Sequence, residues 1–300
     1  MSYPVTNSLQ VVKELQWVKE ATRGTTPNSP TFAAIPTRTF SPKPTVENIK
    51  YRKLGSPDLY KGIKLREMYD FGITYAPIDT NLLKYMVNIG ATPSRDDSFT
   101  FVISQKHNSS NTLVEQYQIV KGASISDLTI TVASGDIITV DSNWIANSIS
   151  DWSTTSGLTG ATFASALTAT PWSPVNTGAS PFTWDTGGTP KPYDVRSFKC
   201  GINHNPDRIQ VVGQSQTTWI NPTTREISLD MDVVWKDTSL QADTKTLTAR
   251  NMTMQINSVT PTTLTFTDAY LESYDETVDA ESTDAKVTSY SGFAASVSVN

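Results

Sequence analysis

The sequence holds a single cysteine, Cys200, in 300 residues. One thiol excludes an internal disulfide framework and any zinc site built from several thiolates, so the fold must rest on packing or on assembly. Histidine is almost as scarce. His107 and His204 are the only two, and neither stands in a recognisable catalytic motif, which removes most nucleophile–base arrangements. There is no Gly-x-x-x-x-Gly-Lys-Ser/Thr run and no Gly-x-Gly-x-x-Gly run. Backbone cradles for phosphate are therefore missing, and neither nucleotide-dependent chemistry nor a cofactor is expected. No stretch approaches the roughly 18 apolar residues that span a bilayer. The opening Met1-Ser2-Tyr3-Pro4 lacks a basic start followed by an apolar run, so no membrane or secretory route is expected. The sequons at Asn108 and Asn251 need such a route and are not read as glycosylation sites. A net charge of −5 argues against a protein whose main task is neutralising nucleic-acid phosphates.

What the sequence does have is Thr, Ser and Val, which favour pleated, half-buried surfaces. Apolar and polar residues alternate at 99–101, 128–132, 227–233, 252–256, 264–266 and 293–299, and each of these predicts a strand with one face on a core. Ala133-Ser134-Gly135-Asp136 and Asn221-Pro222-Thr223-Thr224 read as tight turns joining antiparallel neighbours. One internal helix is predicted over 79–90: Asp79 or Thr80 caps it, Leu82, Leu83, Met86 and Val87 form its apolar stripe, and Gly90 suits its C-terminal end. A second helix is possible over 9–19. From Ser148 to Pro192 the composition shifts to Ser, Thr, Gly, Ala and Pro, with Trp152, Trp172 and Trp184 spread through it. Three tryptophans are too much apolar area to leave in water, so part of this segment should pack. The expected organisation is a mainly β chain with a first part of the β-core at 1–147, an insertion or long loop at 148–192, and a second part of the core at 193–300.

Three constellations deserve a chemical reading. Cys200, His204 and Asp207 fall within eight positions. They read as a buried thiol beside a polar turn, against the alternatives of a Cys/His pair or a partial metal site. Carboxylates gather at Asp275, Glu276, Asp279, Glu281 and Asp284, and again at Asp96-Asp97. Hard cations want several such oxygens, but the spacing of a calcium loop is absent and a solvated acidic loop is the plainer reading. Basic residues gather between Lys43 and Arg66. Lys50, Arg52, Lys53, Lys61, Lys64 and Arg66, interleaved with Tyr51 and Tyr60, read either as a nucleic-acid patch or as a subunit contact. The acidic whole favours the contact, with Tyr60 among its residues.

The N-terminal third carries a familiar phrase: Glu20-Ala21-Thr22-Arg23-Gly24-Thr25-Thr26-Pro27, a step through Ser29-Pro30-Thr31-Phe32, then Tyr51-Arg52-Lys53-Leu54-Gly55-Ser56. This order resembles the opening of tail tube proteins from long-tailed phages and archaeal tailed viruses. The segments 64–76 and 79–90 fill the places of the strand and short helix that follow it there. The resemblance extends over 122–140, 225–233 and 264–274 to the closing strand, leaving out the Ser/Thr-rich insertion. It implies an antiparallel β-sandwich or barrel-like core and no catalysis. It further implies six subunits per ring, stacked rings around a channel for genomic DNA, contact with other tail proteins, and a place in the virion tail after assembly in the host cytoplasm. A baseplate, terminator or decoration protein of a virion is the neighbouring alternative. A carbohydrate-binding β-sandwich is a third reading, because Trp152, Trp172, Trp184, Trp219 and Trp235 are of a type that stacks on sugar rings. A hydrolase ranks last, for want of a Gly-x-Ser-x-Gly elbow or an acid pair.

Overall fold

A strand turns one side chain in two toward a neighbouring layer, and that period decides most of this chain. The computed structural model describes residues 11–12, 15–52, 59–88, 97–109, 112–165, 167–173, 182–214, 217, 219–234, 237–257, 262–276 and 286–300. Within them the first part of the chain runs β1 (Val11–Val12), β2 (Leu15–Lys19), β3 (Ala33–Ile35), β4 (Thr37–Arg52), β5 (Leu59–Tyr75), α1 (Asn81–Asn88), β6 (Phe99–Ser109), β7 (Thr112–Ala133), β8 (Thr139–Ala146) and β9 (Ser148–Ile149). The rest runs β10 (Phe182–Asp185), β11 (Pro190–Tyr193), β12 (Val195–Asn203), β13 (Pro206–Ile209), β14 (Trp219–Pro222), β15 (Glu226–Val234), α2 (Ser239–Thr246), β16 (Arg250–Asn257), β17 (Thr262–Glu276) and β18 (Val287–Val299).

The protein is mainly β, and every paired strand is antiparallel to its neighbour. One path of neighbours runs β11-β10-β16-β17-β18-β15-β12-β7-β6-β2-β3. β7 serves two sets of strands. Its first half pairs with β6 and touches β9, while its second half pairs with β8 on one side and β12 on the other. β8 leads on to β5, and β5 to β4. The C-terminal strands curl. In a flat sheet β12 and β17, with β15 and β18 between them, would stand roughly 14 Å apart, yet the rings of Phe198 and Phe266 meet edge to face at 5.9 Å between centroids. On the N-terminal side the layers close over an aromatic cluster. Trp144 of β8 stacks on Phe71 of β5 at 6.0 Å and meets Phe101 and Phe99 of β6 at 5.0 and 5.8 Å. Such offset and edge-on pairs add to the burial of the rings themselves.

The predicted helix is present as α1, with Leu82, Leu83, Met86 and Val87 buried. The Asp79 carboxylate accepts the Asn81 N–H at 2.9 Å, supplying one acceptor for the unpaired first turn. Gly90 lies outside the described residues. At the other end the Met86 carbonyl accepts from His204 Nε2 at 3.0 Å, and the Val87 carbonyl from Arg225 at 3.1 Å. Arg225 also reaches the Val297 carbonyl at 3.1 Å, so one side chain joins the helix end to the last strand.

Three expectations need correction. The segment 15–19 is the strand β2, not the end of a helix: Leu15 and Trp17 share a face and are buried between β6 and β3. A second helix, α2, lies outside the one predicted, and only its Leu240 and Asp243 are buried. The turn at 221–224 does not join paired strands. β14 pairs with β13, while β15 pairs with β12 and β18. The hairpin turn after Ala133 does join paired strands, β7 and β8. Within the Ser/Thr-rich segment, Trp172 and Trp184 are buried. β10 and β11 are paired with each other, and β10 also pairs with β16.

Candidate subunit-contact surface

The basic segment between Lys43 and Arg66 forms a two-stranded arm. At its base β5 is ordinary core: Phe71, Ile73 and Tyr75 are buried, and β8 pairs with it from Tyr69 to Tyr75. Among the described residues, the only strand beside β5 beyond Tyr69 is β4, and β4 has no second strand neighbour. From Lys61 to Arg66 and at most positions from Ser41 to Lys50, side chains on both faces are exposed. Val46, Ile49, Ile63 and Leu65 are each close to half exposed. An isolated two-stranded hairpin is marginal in water, and four half-exposed aliphatic side chains on it are the kind of surface that marks a contact site.

Register sorts the basic residues. Residues directly opposite share a face, so Ile49 and Ile63 lie on one face with Glu47, Arg66 and Lys61, while Lys50 and Lys64 lie on the other. Arg52 pairs with Leu59 and Tyr60 belongs to β5; their side chains, and all of Lys53, lie outside the described residues. The charges are partly matched within the arm. Arg66 grips the Glu47 carboxylate with two N–H groups, one at 2.8 Å and one shorter, and Lys64 pairs with Glu67. The hydrogen bond between them lowers the Glu47 pKa and raises that of Arg66. Both groups stand in water, where such a pair contributes little to folding. The aliphatic members of the arm were missed in the sequence, although Val46–Ile49 and Ile63–Leu65 were in plain view between the lysines.

The N-terminal phrase builds a clasp around a buried carboxylate. Glu20 is buried, and its carboxylate accepts from four donors: Gly24 N–H and Ser98 Oγ at 2.7 Å on one oxygen, Thr100 Oγ1 at 2.7 Å and Gly122 N–H at 2.9 Å on the other. Gly24 and Gly122 both have positive φ, +75° and +66°, a region that suits glycine. Arg23 donates to Ser124 Oγ at 2.7 Å. The phrase therefore ties the end of β2 to β6 and β7.

Cys200 is buried, and burial pushes its thiol up to about 12, which keeps it protonated and unreactive. His204 donates its Nε2–H to the Met86 carbonyl, and burial holds its pKa down at about 4. Among the described residues no group of three or more His, Cys, Asp or Glu could hold a metal ion. Glu276 accepts from Gln241 at 2.7 Å and pairs with Lys286, and Asp97 pairs with Lys19 at 2.8 Å. Asp96, Asp279, Glu281 and Asp284 lie outside the described residues. For sugar stacking, Trp172 and Trp184 are unsuited by burial, and Trp184 donates its indole N–H to Asp243 at 2.8 Å. Trp152 is 37% exposed. Trp235 and the side chain of Trp219 lie outside the described residues. No helix among the described residues is long and apolar enough to cross a membrane.

None of the curated proteins compared matches the chain. The model of the phage tail tube protein family matches residues 12–300, nearly the whole length. That family is structural, and its members build the tube of the virion tail together with other tail proteins. On this match the chain belongs to the phage tail tube protein family.

Proposed function

We propose that the chain is a tail tube subunit, six copies of which close into a ring, and that stacked rings enclose a channel through which genomic DNA is ejected without specific binding. The observation that supports this reading is the β4–β5 arm, whose Val46, Ile49, Ile63 and Leu65 stand about half exposed outside the core, with no strand but β5 beside β4 among the described residues. Repeated neighbours cover these side chains, and a closed ring gives every copy the same partner. Lys50, Arg52, Lys53, Tyr60, Lys61, Lys64 and Arg66 accompany the arm into the contact, with Tyr and Arg suited to interface centres. The net charge of −5 lets DNA pass without sticking. The subunit does no catalysis and holds no cofactor. Subunits assemble in the host cytoplasm before joining the virion tail. The segments 1–147 and 193–300 supply the two parts of the β-core, with 148–192 inserted between them.

Negative-stain microscopy of the purified chain tests this. Six-fold rings or tubes are expected, and a variant carrying Ile49→Asp and Ile63→Asp should stay monomeric with an unchanged circular dichroism spectrum. A wild-type chain that remains monomeric at high concentration would overturn the reading.

A further inference from the structure

A second exposed apolar feature lies apart from the arm. β13 and β14 form a small sheet of their own, anchored by an ion pair from Arg208 to Asp70 on β5. Beyond β13 the chain turns at Val211-Val212-Gly213-Gln214, closed by the Gln214 N–H donating to the Val211 carbonyl at 3.0 Å. Gly213 has φ +92° and Val212 is not among the residues with positive φ, the signature of a type II turn with Val212 at its outer corner. Val212 is 101% exposed, with Val211 at 43% and Ile209 at 39%. A β-branched aliphatic side chain held fully in water at a turn corner gains nothing for the monomer.

The same chain has a groove of about 860 Å³ at the base of the arm, walled by Phe40, Ile103, Ile137 and Trp152, with Gln105 and Gln118 as polar members. Arg38 is the one charged residue lining it among the described residues. The tip from Ile209 to Gln214 carries no charge at all. The arm is a poor occupant for such a groove, because Lys50, Lys61, Lys64 and Arg66 would have to shed water beside apolar walls. The uncharged tip sheds none. Its own groove is not occupied by it, since Val212 stands free in solvent.

We infer that the Val211–Val212 tip of one copy seats in the Phe40–Trp152 groove of the next copy. Knob and hole are different surfaces of one molecule, so the contact is head-to-tail and repeats from copy to copy, closing a ring or running on as a tube. This rests on the self-assembly reading and adds to it a contact distinct from the arm.

Val212→Asp and Trp152→Glu test it, the first on the knob and the second on the hole, followed by sedimentation velocity and microscopy of the full chain. Each variant alone should be folded and monomeric under conditions where the wild type forms rings or tubes. Mixed in equal amounts well above the wild-type assembly threshold, they should give a dimer and no further growth, because each supplies the half that the other lacks. Tubes from the Val212→Asp chain, or a mixture that stays monomeric, would overturn the contact while leaving the tube reading intact. A wild type that never assembles would remove both.

Discussion

Glu20 and Gly122 stand 102 positions apart in the chain and meet through a 2.9 Å hydrogen bond from the glycine N–H to a buried carboxylate oxygen. Three further donors converge on that carboxylate. Glu20→Ala should therefore strand four donors at once. At about 1 kcal/mol each, the loss is on the order of 3–4 kcal/mol. Thermal unfolding should show a fall of roughly 10 °C, and Glu20→Gln, which keeps one acceptor oxygen, should fall less.

His204 makes folding sensitive to acid. Burial holds its folded pKa at about 4 against an ordinary 6.5, so below pH 6.5 the unfolded chain takes up a proton that the folded chain refuses. Stability from this residue is complete above pH 6.5 and is lost as pH falls toward 4, by up to roughly 3 kcal/mol. Denaturant midpoints measured from pH 7 to pH 4 should decline more steeply in the wild type than in His204→Gln. Equal slopes would sink this account.

Cys200 should resist thiol reagents. With the thiol buried and its pKa near 12, thiolate is negligible at neutral pH. Maleimide should leave the folded protein unlabelled and react fully once denaturant unfolds it.

Gly292 should tolerate no side chain. A Cβ there would lie 2.0 Å from the Tyr270 carbonyl oxygen and 3.1 Å from Leu271 Cα, backbone atoms that cannot step aside without breaking the β17–β18 ladder. Gly292→Ala should cost several kcal/mol, at the large end for a single substitution, read as a marked drop in melting temperature or in soluble yield.

Much of the fold was legible because alternation is a local signal. The strands at 128–132, 227–233, 252–256 and 264–266 announce themselves by side-chain period alone. β2 was not legible as a strand, since Gln16 and Trp17 owe their extended form to pairing with Val102 and Phe101 far along the chain. α2 was missed for the opposite reason: it lacks an apolar stripe, and its anchor is the Asp243 carboxylate, which holds Trp184 and Arg250. In the arm the basic residues were visible, but the exposure of Val46, Ile49, Ile63 and Leu65 depends on where the neighbouring sheet stops. A sequence shows the alternation of a strand and not the end of its neighbours. The Glu20 phrase is visible in the sequence only as a pattern, and the fold shows that its first residue is the acceptor for two distant strands.

β7 runs unbroken for 22 residues, its first half laced to β6 and its second to β8 and β12. Neither portion of the molecule can come loose without dragging on the same backbone. A subunit so threaded should melt in one concerted transition, and a pull applied to one end is passed along a continuous covalent spine to the other.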